Sequence, residues 1–221
     1  MKKQGPIGGF SKRKFQAAIL FLALVLKGNP LGLGRVKLAK LLYFADFELY
    51  RKHGRPVTGI SHIRMPHGPF PDRLEALIRE MIARKLVQER PVKVFGFAKP
   101  RRDLVPLVEL GEDELDQAEV EMLESVAQRL GRCTGKALEE LSHRDFPWLA
   151  AKQAQNPIFY QLATAKSQSE ANRIWDLIQR ASTVDLTEAL DAHPDLSKKV
   201  RARLATPASE EVSLEGLLAR P

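Results

Sequence analysis

The residues with chemistry to offer crowd into one part of the chain. His53, His62 and His67 lie close together in sequence. Imidazole is the commonest metal ligand and the side chain that changes charge nearest neutral pH. Their spacing fits no common ligand pattern, and Cys133 stands alone, with no paired cysteine to complete a site. His53 falls at the end of an apolar helix, where the helix dipole favours a cation. Ser61, His62 and Asp72, or Cys133 and His143, supply the residue types of a nucleophile and its base, but neither set sits in a nucleophile turn. The glycine-rich GNPLGLGR, 28–35, lacks the Gly-Lys-Ser/Thr ending of a phosphate loop and follows no strand. The expectation is therefore no catalytic residue, no metal and no cofactor.

Tyr43 and Asp46 are more pointed. They sit on a helix read from Val36, Leu38, Leu41, Leu42, Ala45 and Leu49, with Phe44 and Phe47 between. That spacing follows the i, i+3, i+4, i+7 rule, and the density of apolar positions makes the helix central. A carboxylate on such a helix needs a partner, and Arg55 or Arg64 could supply it. Two readings stay open for Tyr43 and Asp46: core residues with a satisfied polar group, or contacts to another protein.

The elements that position these residues follow from the same patterns. Gly54 can take the left-handed cap of the central helix, and Pro56 breaks the chain after it. Gly59, Pro66, Gly68, Pro69 and Pro71 shape a short extended link, and Pro71-Asp72 opens a helix to about residue 84. Before them, Lys12-Arg13-Lys14 and the apolar run Ala17 to Leu26 imitate a secretory signal. No small-residue cleavage site follows, and the run is too short to span a bilayer, so a buried first helix over 14–27 is expected. Leu86-Val87, Val92 to Phe97 and Leu104 to Val108 read as short strands, the last two joined through Lys99 to Asp103 as a hairpin. A long amphipathic helix begins near Glu112; Thr134 caps a second, and Asp145 caps a short one carrying Trp148. A helix follows over 168–180, then short helical pieces separated by Pro194 and Pro207. The fold class is mainly α with a small antiparallel sheet or hairpin (α+β). A flexible 1–12 precedes a compact helical domain over 13–165, and 166–221 form a helical C-terminal extension.

Composition adds a charge split. Residues 1–102 hold 22 Lys and Arg against 6 Asp and Glu, while 103–221 hold 13 against 21. Either the acidic helices fold over the basic half, or a basic face stays open for an acidic partner or nucleic acid. One lone cysteine fits a reducing compartment, the cytoplasm.

The runs KLLYFADFELYRKHGRPVTG (40–59) and MPHGPFP (65–71), then Leu141-Ser142-His143 with Pro147-Trp148, resemble the Panacea domain of the SocA-like antitoxin family of toxin–antitoxin systems. The resemblance spans about Phe15 to Leu162. It implies an antitoxin that neutralises a cognate toxin protein by direct protein–protein binding, without a reaction. Some members also deliver the toxin to an ATP-dependent protease. The shared residues are Tyr43, Asp46, Gly54, Pro56, Gly68, Pro69 and Trp148; the glycines and prolines read as architecture. The partner contacts expected are Tyr43, Asp46, Arg51, Lys52, Arg55, Arg64, His67 and Trp148, the basic ones steering an acidic toxin surface. The extension after Ser167 lies outside the resemblance and is expected to carry partner specificity. A competing reading is a winged-helix-like DNA-binding regulator, with Lys93, Lys99, Arg101 and Arg102 on the wing. There, Glu139 and Glu140 of the helix TGKALEELSH would face phosphates unfavourably. No membrane partner is expected.

Overall fold

The computed structural model describes residues 9–96, 98–111, 113–154 and 156–191, with the side chains of 181–191 left aside. The short helical pieces expected beyond residue 191 lie outside the described residues. The chain divides into two units, residues 1–175 and 176–221. This division falls later than the 165/166 boundary read from sequence. In the second unit the described residues, 176–191, are the latter part of a helix.

In the first unit everything is arranged about α2 (Arg35–His53), twelve of whose nineteen residues are buried. A helix that is apolar nearly all round must be covered on nearly every side. The cover comes from α1 (Lys12–Val25), α4 (Gln117–Leu130), α5 (Gly135–Ser142), strands β2 (Gly68–Pro71) and β4 (Arg101–Pro106), and a 3₁₀ turn over Tyr160–Thr164. The central placement of this helix is as its sequence indicates. It ends where Gly54 turns left-handed at φ +68° and returns its N–H to the Tyr50 carbonyl at 2.8 Å. The first helix is buried through Phe15, Ala18, Ile19 and Leu22, so its apolar run is core. Among the described residues, no helix is long and apolar enough to cross a membrane.

Two small antiparallel sheets complete the α+β class. Val87–Val92 (β3) pairs with β4, in the register Val87↔Pro106 to Val92↔Arg101. The second sheet was legible only as an extended link. His62–Met65 (β1) pairs with β2 on one side and with Pro157–Ile158 (β5) on the other. Two residues are too short a signal to read from sequence, and Pro157 sits on an edge strand where its missing N–H does no harm. In the chain, α3 (Leu74–Ala83), with Leu74, Leu77, Ile78 and Met81 inside, follows β2, and α6 (Phe146–Ala150) precedes β5. The last helix, α7 (Gln168–Asp191), begins within the first unit, where Ala171 and Trp175 are buried and the Trp175 ring lies 5.3 Å from that of Phe159.

The acidic α4 folds against the basic elements and neutralises part of their charge. Its buried Glu119 takes ion pairs from Lys14 and Arg55 and closes a capping box with Asp116. Arg55 also reaches Asp116 at 2.8 Å, and Arg129 reaches Glu48 at 2.6 Å.

Candidate partner-binding site

Two polar residues at the middle of α2, Tyr43 and Asp46, point inward. Asp46 has 0% exposure, and its Oδ1 accepts the Thr58 backbone N–H at 2.7 Å. Its Oδ2 accepts the Thr58 hydroxyl at 2.7 Å and His62 Nε2 at 3.0 Å. The Tyr160 hydroxyl donates to the Ile60 carbonyl at 2.5 Å and stands 3.3 Å from the same Oδ2. His62 is fully buried too, and its Nδ1 has no partner among the described residues. The tautomer with its proton on Nε2 fits, because it leaves at Nδ1 only a lone pair rather than an orphaned N–H. Neither Arg55 nor Arg64 is the partner of Asp46, as the sequence suggested. Arg55 is drawn to Asp116 and Glu119, and three short-range donors already fill the carboxylate.

One turn earlier, Tyr43 is also wholly buried and donates its hydroxyl to Asp145 Oδ2 at 2.7 Å. Burial pushes the Tyr43 phenol well above its usual range, and burial likewise raises Asp145. Asp145 stands at the N-cap of α6, and its Oδ2 is turned to the Tyr43 hydroxyl. Arg51 Nη2 lies 3.9 Å from the other oxygen, and its Nε donates to the Ala163 carbonyl at 2.8 Å.

Arg64 and Trp148 are brought together. The Arg64 guanidinium carbon sits 3.4 Å above the centre of the Trp148 ring, and Arg64 donates to the Trp148 carbonyl. His143 stacks on the ring at 4.1 Å and 18°, completing a three-layer column. Burial lowers the His143 pKa, so the imidazole is held toward its neutral form beside Trp148. His67 is 83% exposed and meets Glu139 at 3.1 Å; Lys52 and His53 are exposed at the end of α2. The three histidines are thus scattered: one in the core, one at the helix end, one on a hairpin. Among the described residues, no three His, Cys, Asp or Glu stand close enough to hold a metal ion.

Gly68 and Pro69 earn their place through Lys40, which sequence reasoning passed over. Lys40 is buried, donates to the Pro69 carbonyl at 2.8 Å, and burial lowers its pKa from 10.5 to about 8. Stability is therefore expected to rise from about pH 8 to about pH 10. In that window the unfolded lysine still binds a proton that the folded one has released, and the rise amounts to about 2 kcal/mol. Lys37, lowered chiefly by burial, acts in the same sense. Above pH 10.0 the trend reverses, because the unfolded chain deprotonates Tyr43 and Tyr160 while burial holds both phenols protonated in the folded one. Urea midpoints across this range check it: Lys40→Met should flatten the rise, and an unchanged slope would refute the assignment.

Sequence reasoning also missed Glu119, and it read Asp145 as a helix cap rather than as the partner of Tyr43. The spacing Asp116-x-x-Glu119 is a capping-box signal and could have exposed the first; the pairing of Tyr43 with a residue so far along the chain has no local signature.

A family model described as antitoxin SocA-like, Panacea domain, matches residues 38–149. No curated protein matches the chain, and no solved structure matches it. The match takes in most of α2, the β1–β2 hairpin, Asp145 and the Arg64–Trp148 stack, and it covers half of the sequence: the chain belongs to the SocA-like antitoxin family with a Panacea domain.

Proposed function

We propose that this protein is a cytoplasmic antitoxin that neutralises a cognate toxin by binding it directly, without a reaction of its own. The observation that carries this reading is the closure of a constellation with catalytic residue types at the heart of the domain. Asp46, Thr58 and His62 are all buried, and each is turned on the others or on backbone. A general base must reach the proton it abstracts, and no substrate reaches these atoms. They hold the segment after α2 against that helix. Arg51, Lys52 and His67 remain exposed, while Arg64 and Trp148 are half-buried against each other.

Co-expression with the product of the adjacent reading frame tests this. Growth should be rescued and the two chains should co-purify. Association should slow roughly tenfold from low to high salt if the basic residues steer the encounter; a salt-independent rate would remove the steering. Delivery to a protease is a separate step, read from the toxin's half-life when this protein is present. Because Ala171 and Trp175 are buried, a truncation testing the C-terminal extension belongs after Trp175 rather than after Ser167.

The β3–β4 hairpin gives the nucleic-acid reading one specific support. Phe95 is fully exposed near its tip, and Arg90, Lys93 and Lys99 form no ion pair among the described residues, whereas Arg101 and Arg102 are held by Asp103 and Glu89. A gel shift with the gene's own upstream DNA decides it.

A further inference from the structure

The outer side of α2 borders a groove of about 290 Å³. Phe44, Phe47, Leu130 and Leu141 supply its apolar part; Glu48, Arg51, Arg129, Arg144 and Asp145 supply its polar part. All of these residues fall inside the segment matched by the family model. Two observations fix what fits there. The first is size: the volume lies at the lower end of small-molecule sites, room for an anchoring side chain rather than a cofactor. Leu141 is 43% exposed at its wall, an apolar surface without cover.

The second is charge. The two acids lie deep, Glu48 at 23% and Asp145 at 21% side-chain exposure, under arginines at 47% (Arg51) and 49% (Arg129). Each acid is already engaged, Glu48 by Arg129 at 2.6 Å and Asp145 by Tyr43 at 2.7 Å. Arg144 is exposed and forms no ion pair among the described residues. The outward face is therefore guanidinium, with carboxylates shielded beneath it. Guanidinium groups pair with carboxylates in fixed geometry and are favoured at protein interfaces.

The geometry points to this groove as the docking site of the cognate toxin, for a segment that inserts one large apolar side chain between Phe44 and Leu141 and sets an adjacent carboxylate on Arg144. The inference rests on the antitoxin reading and adds to it the surface and the chemistry of the partner. Buried apolar anchors beside arginine are where interface energy concentrates.

Leu141→Asp and Arg144→Glu test it, since both side chains are exposed and each change should leave the melting temperature in place. The probe is the purified product of the adjacent reading frame. Each substitution is expected to weaken its binding at least tenfold, and the double variant to lose rescue. Phe95→Ser, on the hairpin, should bind as the unaltered protein does. Equal binding by unaltered protein and double variant would overturn the groove while leaving the antitoxin function standing. Loss of binding in Phe95→Ser alone would move the interface to the hairpin and overturn it also. If the unaltered protein neither binds nor rescues, the function falls and the groove's occupant with it. If the double variant instead changes the sedimentation of the chain alone, the groove is a self-contact and the inference fails.

Discussion

Asp46→Ala is expected to cost about 4 kcal/mol, close to the whole stability of a small domain. The side chain accepts the Thr58 N–H, the Thr58 hydroxyl and His62 Nε2, all in a region with no access to water. Removing one acceptor therefore strands three donors, and each buried donor left unpaired costs about 1–3 kcal/mol. Thr58 and the neighbouring Val57 and Ile60 are buried by this attachment, so the segment after α2 should loosen as a unit. Asp46→Asn keeps the shape and part of the bonding, and about half the loss is expected. Urea denaturation gives the number. The same variants separate the two roles first open for Asp46. At a temperature where Asp46→Asn remains folded, toxin binding should match the unaltered protein. A binding defect beyond the unfolded fraction would show that Asp46 reports to the partner surface.

Gly68→Ala is the second large effect, with a loss of about 3 kcal/mol expected. Gly68 has φ +90°, a backbone conformation that a side chain strains. A Cβ there would lie 2.6 Å from Ser142 Oγ and 2.9 Å from Lys40 Nζ. Ser142 is itself buried and bonded to the Glu139 carbonyl, so it has little freedom to withdraw. The lysine must move, and its bond to the Pro69 carbonyl goes with it. The signature is twofold: a lower urea midpoint, and a smaller rise in stability from about pH 8 to about pH 10, because a displaced Lys40 regains water and its ordinary pKa. A midpoint within about 0.5 kcal/mol of the original would show that the contact is relieved cheaply.

The fold class and the central helix were legible because an apolar periodicity survives in any context. The start and end of α2 each lay beside a glycine, and Gly54 behaves as a left-handed cap should. The motif residues were legible as a group, but their direction was not. The sequence shows that Asp46 needs a partner; it does not show that Thr58 and His62 lie nearer than Arg55 or Arg64. Arginine was the natural expectation for a carboxylate, yet Arg55 is claimed by α4, whose approach depends on packing across most of the domain. Lys40 was hidden for the opposite reason. A lysine on an apolar helix reads as a solvated edge, and only the Gly68–Pro69 turn reveals that its ammonium group is enclosed.

The order in which the chain emerges from the ribosome bears on one of these contacts. His62 and Ile63 await Ile158 and Pro157 to complete their sheet, and Ile60 awaits the Tyr160 hydroxyl. Nearly the whole of the first unit must be synthesised before the segment behind α2 can be sealed. The nascent chain is thus open for some seconds at ordinary elongation rates. A fragment cut at residue 149, although it holds the entire family match, would leave one side of β1 unpaired and prone to pair with another chain.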